Sequence, residues 1–140
     1  MAEAKTKLKT DLSSLDTVAG SEEGAWMEVC HPVTGEPLDG GTVRIKLAGP
    51  DSKVYRHALN SGINRRLVKN ANKMQQTVEM SEADAIQVLA KATMDWKNLH
   101  LDGEDVKFSK EAALDIYRTI PWIKEQVDEF LNERANFLGN

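Results

Sequence analysis

The chain has 140 residues, of which 41% are hydrophobic and 29% are charged, and its net charge is −4. This composition favours one globular domain with a sizeable core over a disordered chain or a multidomain enzyme. The negative charge argues against a nucleic-acid-binding protein that works through a broad basic face. No apolar run approaches the roughly 20 residues that span a bilayer, and no apolar segment follows the N-terminal lysines, so we expect a cytoplasmic protein without membrane contact.

Residues 1–24 contain few apolar side chains, which predicts a flexible N-terminal arm because so little apolar surface cannot offset the entropy of ordering. A short helix formed on contact with a partner is the alternative, since Leu8, Leu12 and Leu15 recur at helical spacing. Residues 25–140 are predicted to form a single α+β domain, with a β-hairpin over 25–48 and a helical portion over 51–137.

The predicted hairpin consists of two runs of strand-forming residues, 26–31 and 42–47, the second of which alternates strictly between polar and apolar residues. Residues 32–41 are rich in Gly and Pro and form the connecting loop. The apolar face of the second strand should pack against a helix, because an isolated hairpin is marginally stable in water. Cys30, the single cysteine, is predicted to be a small buried hydrophobic residue.

About four helices are predicted after the hairpin. The first begins after Asp51 or Ser52, either of which can act as its N-cap, and runs toward Met74. Its apolar stripe consists of Tyr55, Leu59, Ile63, Leu67, Ala71 and Met74.

The second helix is predicted to begin at Ser81 as its cap and to end near Trp96. A turn follows over 102–105. Ser109 should cap a third helix that ends at about Thr119, and Pro121 should occupy the first turn of the fourth. One side of the fourth helix is predicted to carry Ile123, Gln126, Val127, Phe130 and Leu131.

No motif in the sequence predicts catalysis, a metal site or a cofactor. His31, His57 and His100 lie in three different predicted elements, without the i, i+4 spacing of a helical metal site. The glycines form neither a phosphate-binding loop nor a dinucleotide fingerprint. We therefore expect a protein that is not an enzyme and that has no cofactor.

A basic cluster formed by Arg65, Arg66, Lys69 and Lys73 has two interpretations. It can bind nucleic acid, or it can pair with an acidic face of a neighbouring molecule. We favour the second, because the chain is acidic overall and few aromatic residues accompany the cluster. The acidic face is predicted to consist of Glu125, Asp128, Glu129 and Glu133.

The last third of the chain contains a distinctive series of aromatic, turn and helix-start residues. They are Trp96-Lys97-Asn98-Leu99, Phe108-Ser109, Ile120-Pro121-Trp122-Ile123, Gln126-Val127, Phe130 and Ala135-Asn136-Phe137. This series resembles the C-terminal half of tail assembly chaperones of long-tailed, non-contractile (siphovirus-type) bacteriophages. The segments 29–38, 47–52 and Tyr55-Arg56 are similar to the same family.

The resemblance implies a non-enzymatic assembly factor of the host cytoplasm that is absent from the mature virion. Such a protein binds and solubilises the long helical tape measure protein, recruits subunits of the major tail tube protein and self-associates. A structural virion component, such as a head-tail connector or tail completion protein, is the first alternative, and a small nucleic-acid-binding regulator is the second.

The predicted partner-binding residues combine large apolar anchors with two members of the basic cluster. Trp122 and Phe137 are expected to be the more exposed anchors, because interfaces favour such residues and chain ends lie at surfaces. The full set is Tyr55, Arg65, Lys69, Trp96, Trp122, Phe130 and Phe137.

Overall fold

The computed structural model describes residues 11–61 and 78–138. Within them, five α-helices and two small antiparallel sheets form an α+β fold, so the predicted fold class is confirmed. Arg65, Lys69 and the rest of the predicted basic cluster lie outside the described residues, as do residues 1–10.

The N-terminal segment contains a 3-10 helix over Leu12–Leu15 and helix α1 over Thr17–Glu23. The prediction of a flexible arm is therefore wrong for residues 12–23. The Asp16 carboxylate caps α1 by accepting from the backbone N–H groups of Val18 and Ala19. The helix is anchored by tertiary hydrogen bonds, which composition does not reveal: Ser21 is buried, and its carbonyl accepts from the N–H of Gly49 at 3.0 Å.

The main sheet has three antiparallel strands in the order β1-β2-β3. They are β1 (Ala25–Glu28), β2 (Arg44–Leu47) and β3 (Thr93–Lys97). The predicted pairing of the first two strands is confirmed, although both strands are shorter than predicted. In the register, Met27 lies opposite Ile45, which lies opposite Trp96, and these three buried side chains form part of the inner face.

Strand β3 replaces the predicted end of a helix, so the prediction of a helix that continues to Trp96 is wrong. Helix α3 occupies Val78–Ala92, and the chain then enters the sheet. Pairing with β3 satisfies the backbone hydrogen-bonding groups on the second edge of β2. The stabilisation from this long-range pairing outweighs the local preference for a helix. The prediction that Ser81 caps this helix is also wrong, because Ser81 lies inside α3.

Helix α2 occupies residues 53–61 of the described chain. The predicted capping by Ser52 is confirmed, since its hydroxyl accepts from the Tyr55 N–H at 3.2 Å. Leu59 was predicted to lie on the buried stripe but is 41% exposed, whereas Ala58 is buried. The predicted continuation of this helix toward Met74 lies outside the described residues.

The C-terminal half begins with a small hairpin of β4 (His100–Leu101) and β5 (Glu104–Asp105). The predicted turn closes this hairpin, with φ values of 53° at Asp102 and 81° at Gly103 that are typical of a type I′ turn.

Helices α4 (Lys110–Thr119) and α5 (Pro121–Asn132) follow, and their predicted starts at Ser109 and Pro121 are confirmed. A 3-10 helix over Arg134–Phe137 ends the described chain.

One core joins the inner face of the sheet to the helices. Tyr117 of α4 lies in its centre, and its hydroxyl forms a hydrogen bond of 2.7 Å with the hydroxyl of Thr93. Burial raises the pKa of Tyr117 to about 12, although the hydrogen bond with Thr93 opposes that rise. Among the described residues, no helix is both long and apolar enough to cross a membrane.

Candidate functional site

Helix α5 positions the candidate site because it divides its side chains between the core and the surface. Ile123, Val127 and Leu131 are buried at helical spacing, which fixes the rotation of the helix. The neighbouring face therefore carries Trp122 and Phe130 at the surface, where both are half-buried. Pro121 fits the first turn because that position needs no backbone N–H, and Trp122 follows directly at the start of the helix.

Trp122 lies between two surface clefts and contributes to the lining of both. The first has a volume of about 520 Å³ and lies between α5 and the chain that follows β1. The second has a volume of about 650 Å³ and lies between the start of α5, the loop before β2 and the β4–β5 hairpin. A single indole thus separates two cavities of different chemical character.

The first cleft has an aromatic and acidic lining. Trp122 and Phe130 supply the rings, while the exposed carboxylates of Glu28, Glu125 and Glu129 supply negative charge. Among the described residues, no lysine or arginine lines this cleft. The cleft is therefore suited to a positively charged group with an apolar stem, such as a lysine or arginine side chain.

Gln126 holds the wall of the first cleft in place. Its side-chain oxygen accepts from the N–H of Cys30 at 2.9 Å, and its side-chain nitrogen donates to the Cys30 carbonyl at 2.8 Å. The amide therefore pairs with Cys30 as a neighbouring strand would. Cys30 itself is half-buried rather than buried as predicted.

His31 organises the loop at the rim of the same cleft. Its Nδ1 accepts from the N–H groups of Val33, at 3.0 Å, and Thr34, at 3.2 Å. The carbonyl of His31 also accepts from the Gly35 N–H at 2.9 Å. A ring that accepts at Nδ1 has its proton on Nε2, so the histidine acts here as a local cap of the turn.

The second cleft is lined mainly by apolar side chains. Val43, Leu38 and Ile120 are half-buried, and Leu101 at the tip of the β4–β5 hairpin is 46% exposed. Such a concave apolar surface can receive aliphatic or aromatic side chains of another protein.

Three of the predicted partner-binding residues, Trp122, Phe130 and Phe137, lie on helix α5 or against it, and two of them line the first cleft. Trp122 and Phe130 meet at the first cleft. Tyr55 is half-buried on α2, where burial first, and then the charge of Asp128, raises its pKa. Arg65 and Lys69 lie outside the described residues.

Trp96 and Phe137 belong to the core rather than to an exposed surface. Trp96 is 6% exposed, and its Nε1 donates to the Val106 carbonyl at 2.7 Å. Phe137 is 1% exposed and packs edge-on against Phe130, with 5.5 Å between the ring centroids. The prediction that Phe137 is an exposed anchor is therefore wrong, because the last 3-10 helix folds it back under α5.

The residues of the second cleft were not anticipated from the sequence. Leu38, Val43 and Leu101 are single apolar residues in loops or short strands, and no periodic pattern links them. The one local signal in the sequence is that Leu101 directly precedes an Asp-Gly pair, which is typical of the turn at a hairpin tip.

The two clefts offer concave contact surface on both sides of Trp122. Within residues 11–61 and 78–138, no group of three or more His, Cys, Asp or Glu side chains is placed to hold a metal ion. The Cys30 thiol lies 3.7 Å from the Glu28 carbonyl and is half-buried. What the arrangement supplies is an aromatic ridge, an apolar cavity and three carboxylates.

Comparison with known proteins gave no match to a family model, to a curated protein or to a solved structure.

Proposed function

We propose that this protein is a tail assembly chaperone of a siphovirus-type bacteriophage. In this proposal it binds and solubilises the tape measure protein in the host cytoplasm, recruits tail tube subunits and is absent from the mature virion. The resemblance of segments 29–38 and 92–137 to that family supports the proposal at the level of sequence.

The structural observation that carries the proposal is the position of Trp122 between an apolar cleft and an acidic cleft. A partner helix with an apolar stripe and neighbouring basic residues matches the apolar lining of the second cleft and the negative charge of the first. Its apolar side chains can enter the second cleft, and a lysine or arginine can reach the carboxylates of the first. A long helical partner offers such segments repeatedly.

Trp122 is the residue expected to contribute most to binding. Tryptophan is enriched among the residues that dominate interface energies, and truncation of such a residue costs about 2 kcal/mol or more. That loss corresponds to roughly a thirtyfold weaker complex. Glu125 and Glu129 should contribute more to the choice of partner and to the association rate than to affinity.

The test is co-expression with the tape measure protein of the same phage, followed by pull-down and sizing of the complex. We expect the tape measure protein to become soluble only with this chain and to elute with it in one large complex. A tape measure protein that stays insoluble while this chain elutes alone would contradict the proposal.

Two variants locate the binding surface in the same experiment. Trp122→Ala should weaken binding about thirtyfold, whereas Leu59→Ala, an exposed apolar residue on α2 that lines neither cleft, should leave it unchanged. Thermal unfolding provides the control for folding. If Trp122→Ala lowers thermal stability and binding to the same extent, its role is structural.

Purified mature particles distinguish the chaperone from a virion component. Mass spectrometry should not detect this chain in them. Its presence in stoichiometric amounts would instead favour a head-tail connector or tail completion protein.

A further inference from the structure

The outer face of the three-stranded sheet carries a group of cations around one tryptophan. Because side chains alternate between faces along a strand, the residues next to the buried Met27, Ile45 and Trp96 point away from the helices. The register places these outer residues in two cross-strand rows, Trp26–Lys46–Asp95 and Glu28–Arg44–Lys97.

Two lysines from different strands converge on the indole of Trp26. The Nζ of Lys97 lies 4.8 Å from the ring centroid, and the Nζ of Lys46 lies 5.9 Å from it. Neither amine forms a salt bridge with another described residue. Arg44 adds a third positive charge, and its Nε donates to the Gly41 carbonyl at 2.7 Å, which holds its side chain near the loop before β2.

This arrangement leaves positive charge beside partly exposed apolar surface. The indole orients the amines through cation–π attraction but does not neutralise them. Such a surface attracts a negatively charged group that also has an apolar portion to lay against the ring.

We propose that the outer sheet face formed by Trp26, Arg44, Lys46 and Lys97 binds an acidic segment of a partner protein. The carboxylates of that segment would pair with the three cations, and its apolar side chains would contact the Trp26 indole. This surface is different in charge from the Trp122 clefts, and the inference does not depend on the partner proposed for them.

A protein segment fits this face better than a nucleic acid does. Glu28 lies opposite Arg44 and Asp95 lies opposite Lys46, so carboxylates interrupt the positive charge that a phosphate backbone would follow. Trp26 is also the single aromatic ring in these two rows, whereas a single-stranded nucleic acid stacks successive bases on several rings.

The test measures binding of a short fluorescein-labelled peptide of glutamate and leucine to the full chain by fluorescence anisotropy. We expect binding that weakens with added salt, because the contacts are exposed to solvent. The double variant Lys46→Gln/Lys97→Gln should bind about tenfold more weakly, whereas Lys46→Arg/Lys97→Arg should retain affinity. Trp26→Ala should also weaken binding, and circular dichroism checks that each variant is folded.

Three outcomes would overturn the inference. One is the absence of binding by the unsubstituted chain, and the second is equal binding by the Gln and Arg double variants. The third is tighter binding of a single-stranded oligothymidylate than of the peptide, which would assign the face to nucleic acid. Trp122→Ala serves as the matched control and should leave peptide binding unchanged, because Trp122 lines the two clefts and is not part of the outer sheet face.

Discussion

Asp51 shows how one carboxylate can join three distant parts of the chain. It precedes α2, accepts from the Thr17 hydroxyl of α1 at 2.6 Å, and accepts two hydrogen bonds from Arg134 near the C-terminus, at 2.8 and 3.0 Å. The hydrogen bonds from Arg134, followed by that from Thr17, lower the pKa of Asp51 to about 2. The charged form of the Asp51 side chain is therefore the form that connects α1 to Arg134.

The pKa of Asp51 provides a direct test of this connection. In a carboxyl NMR titration we expect a midpoint at about 2 in the unsubstituted protein and a clear rise toward the ordinary value of 3.8 in Arg134→Ala. Arg118→Ala, which removes an exposed pair with Asp115, is the matched control and should not move the Asp51 midpoint. A midpoint near 3.8 in the unsubstituted protein would contradict the assignment.

The same shift determines how stability depends on pH. Because the pKa of Asp51 is lower in the folded state, its contribution is fully present above about pH 4 and is lost as the pH falls toward 2. Arg134 is largely exposed, and solvent screening therefore keeps this loss of stability small.

At the scale of elements, the junction between α3 and β3 depends on a lysine from another helix. The Lys110 amine donates to the Lys91 carbonyl at 2.8 Å and also to the Thr93 carbonyl, so it satisfies acceptors at the point where α3 ends. Burial lowers the pKa of Lys110. The Thr93 hydroxyl donates to the Leu89 carbonyl at 2.8 Å, which satisfies a further acceptor of the last turn.

Lys110→Met should destabilise this junction while keeping the apolar stem of the side chain. We expect the free energy of unfolding in urea to fall by about 1–2 kcal/mol, because charged hydrogen bonds to the carbonyls of Lys91 and Thr93 are lost. Lys107→Met, a change at an exposed lysine, should alter it by less than about 0.5 kcal/mol. Equal effects of the two substitutions would show that Lys110 does not secure the end of α3.

At the scale of the whole molecule, the two ends of the described chain meet over Gly49. A Cβ atom at this position would lie 2.7 Å from Cγ of Phe137 and against the Ser21 hydroxyl. Gly49 therefore allows α1 and the last 3-10 helix to approach the strand-to-helix turn closely, and this approach buries Phe137.

Gly49→Ala should separate these segments and lower the free energy of unfolding by about 1–3 kcal/mol. A double-mutant cycle with Phe137→Ala, measured by urea unfolding, tests the cause. The alanine at position 49 should cost less once the Phe137 ring is absent, although its contact with the Ser21 hydroxyl remains. Additive effects of the two substitutions would show that the cost of the alanine does not come from contact with the Phe137 ring.

The candidate site contains residues that can be predicted from the sequence and residues that cannot. Trp122 and Phe130 were identified because large aromatic residues on an amphipathic helix are evident in the sequence. The second cleft was missed because Leu38, Val43 and Leu101 come together only through the packing of a loop, a strand and a hairpin. Trp96 and Trp122 are the same residue type, and only the tertiary contacts place the first in the core and the second at the surface.

Elements with strong local signals can be predicted from the residues alone. Ser109 and Pro121 specify the starts of α4 and α5 through caps and first-turn geometry, and strict alternation specifies β2. Tertiary structure alone decided that residues 17–23 form an anchored helix and that residues 93–97 join the sheet. The hydrogen bonds to Gly49 and the pairing with β2 involve partners far along the chain. The stabilisation from these long-range contacts exceeds the small local preferences for helix or strand that a sequence pattern expresses.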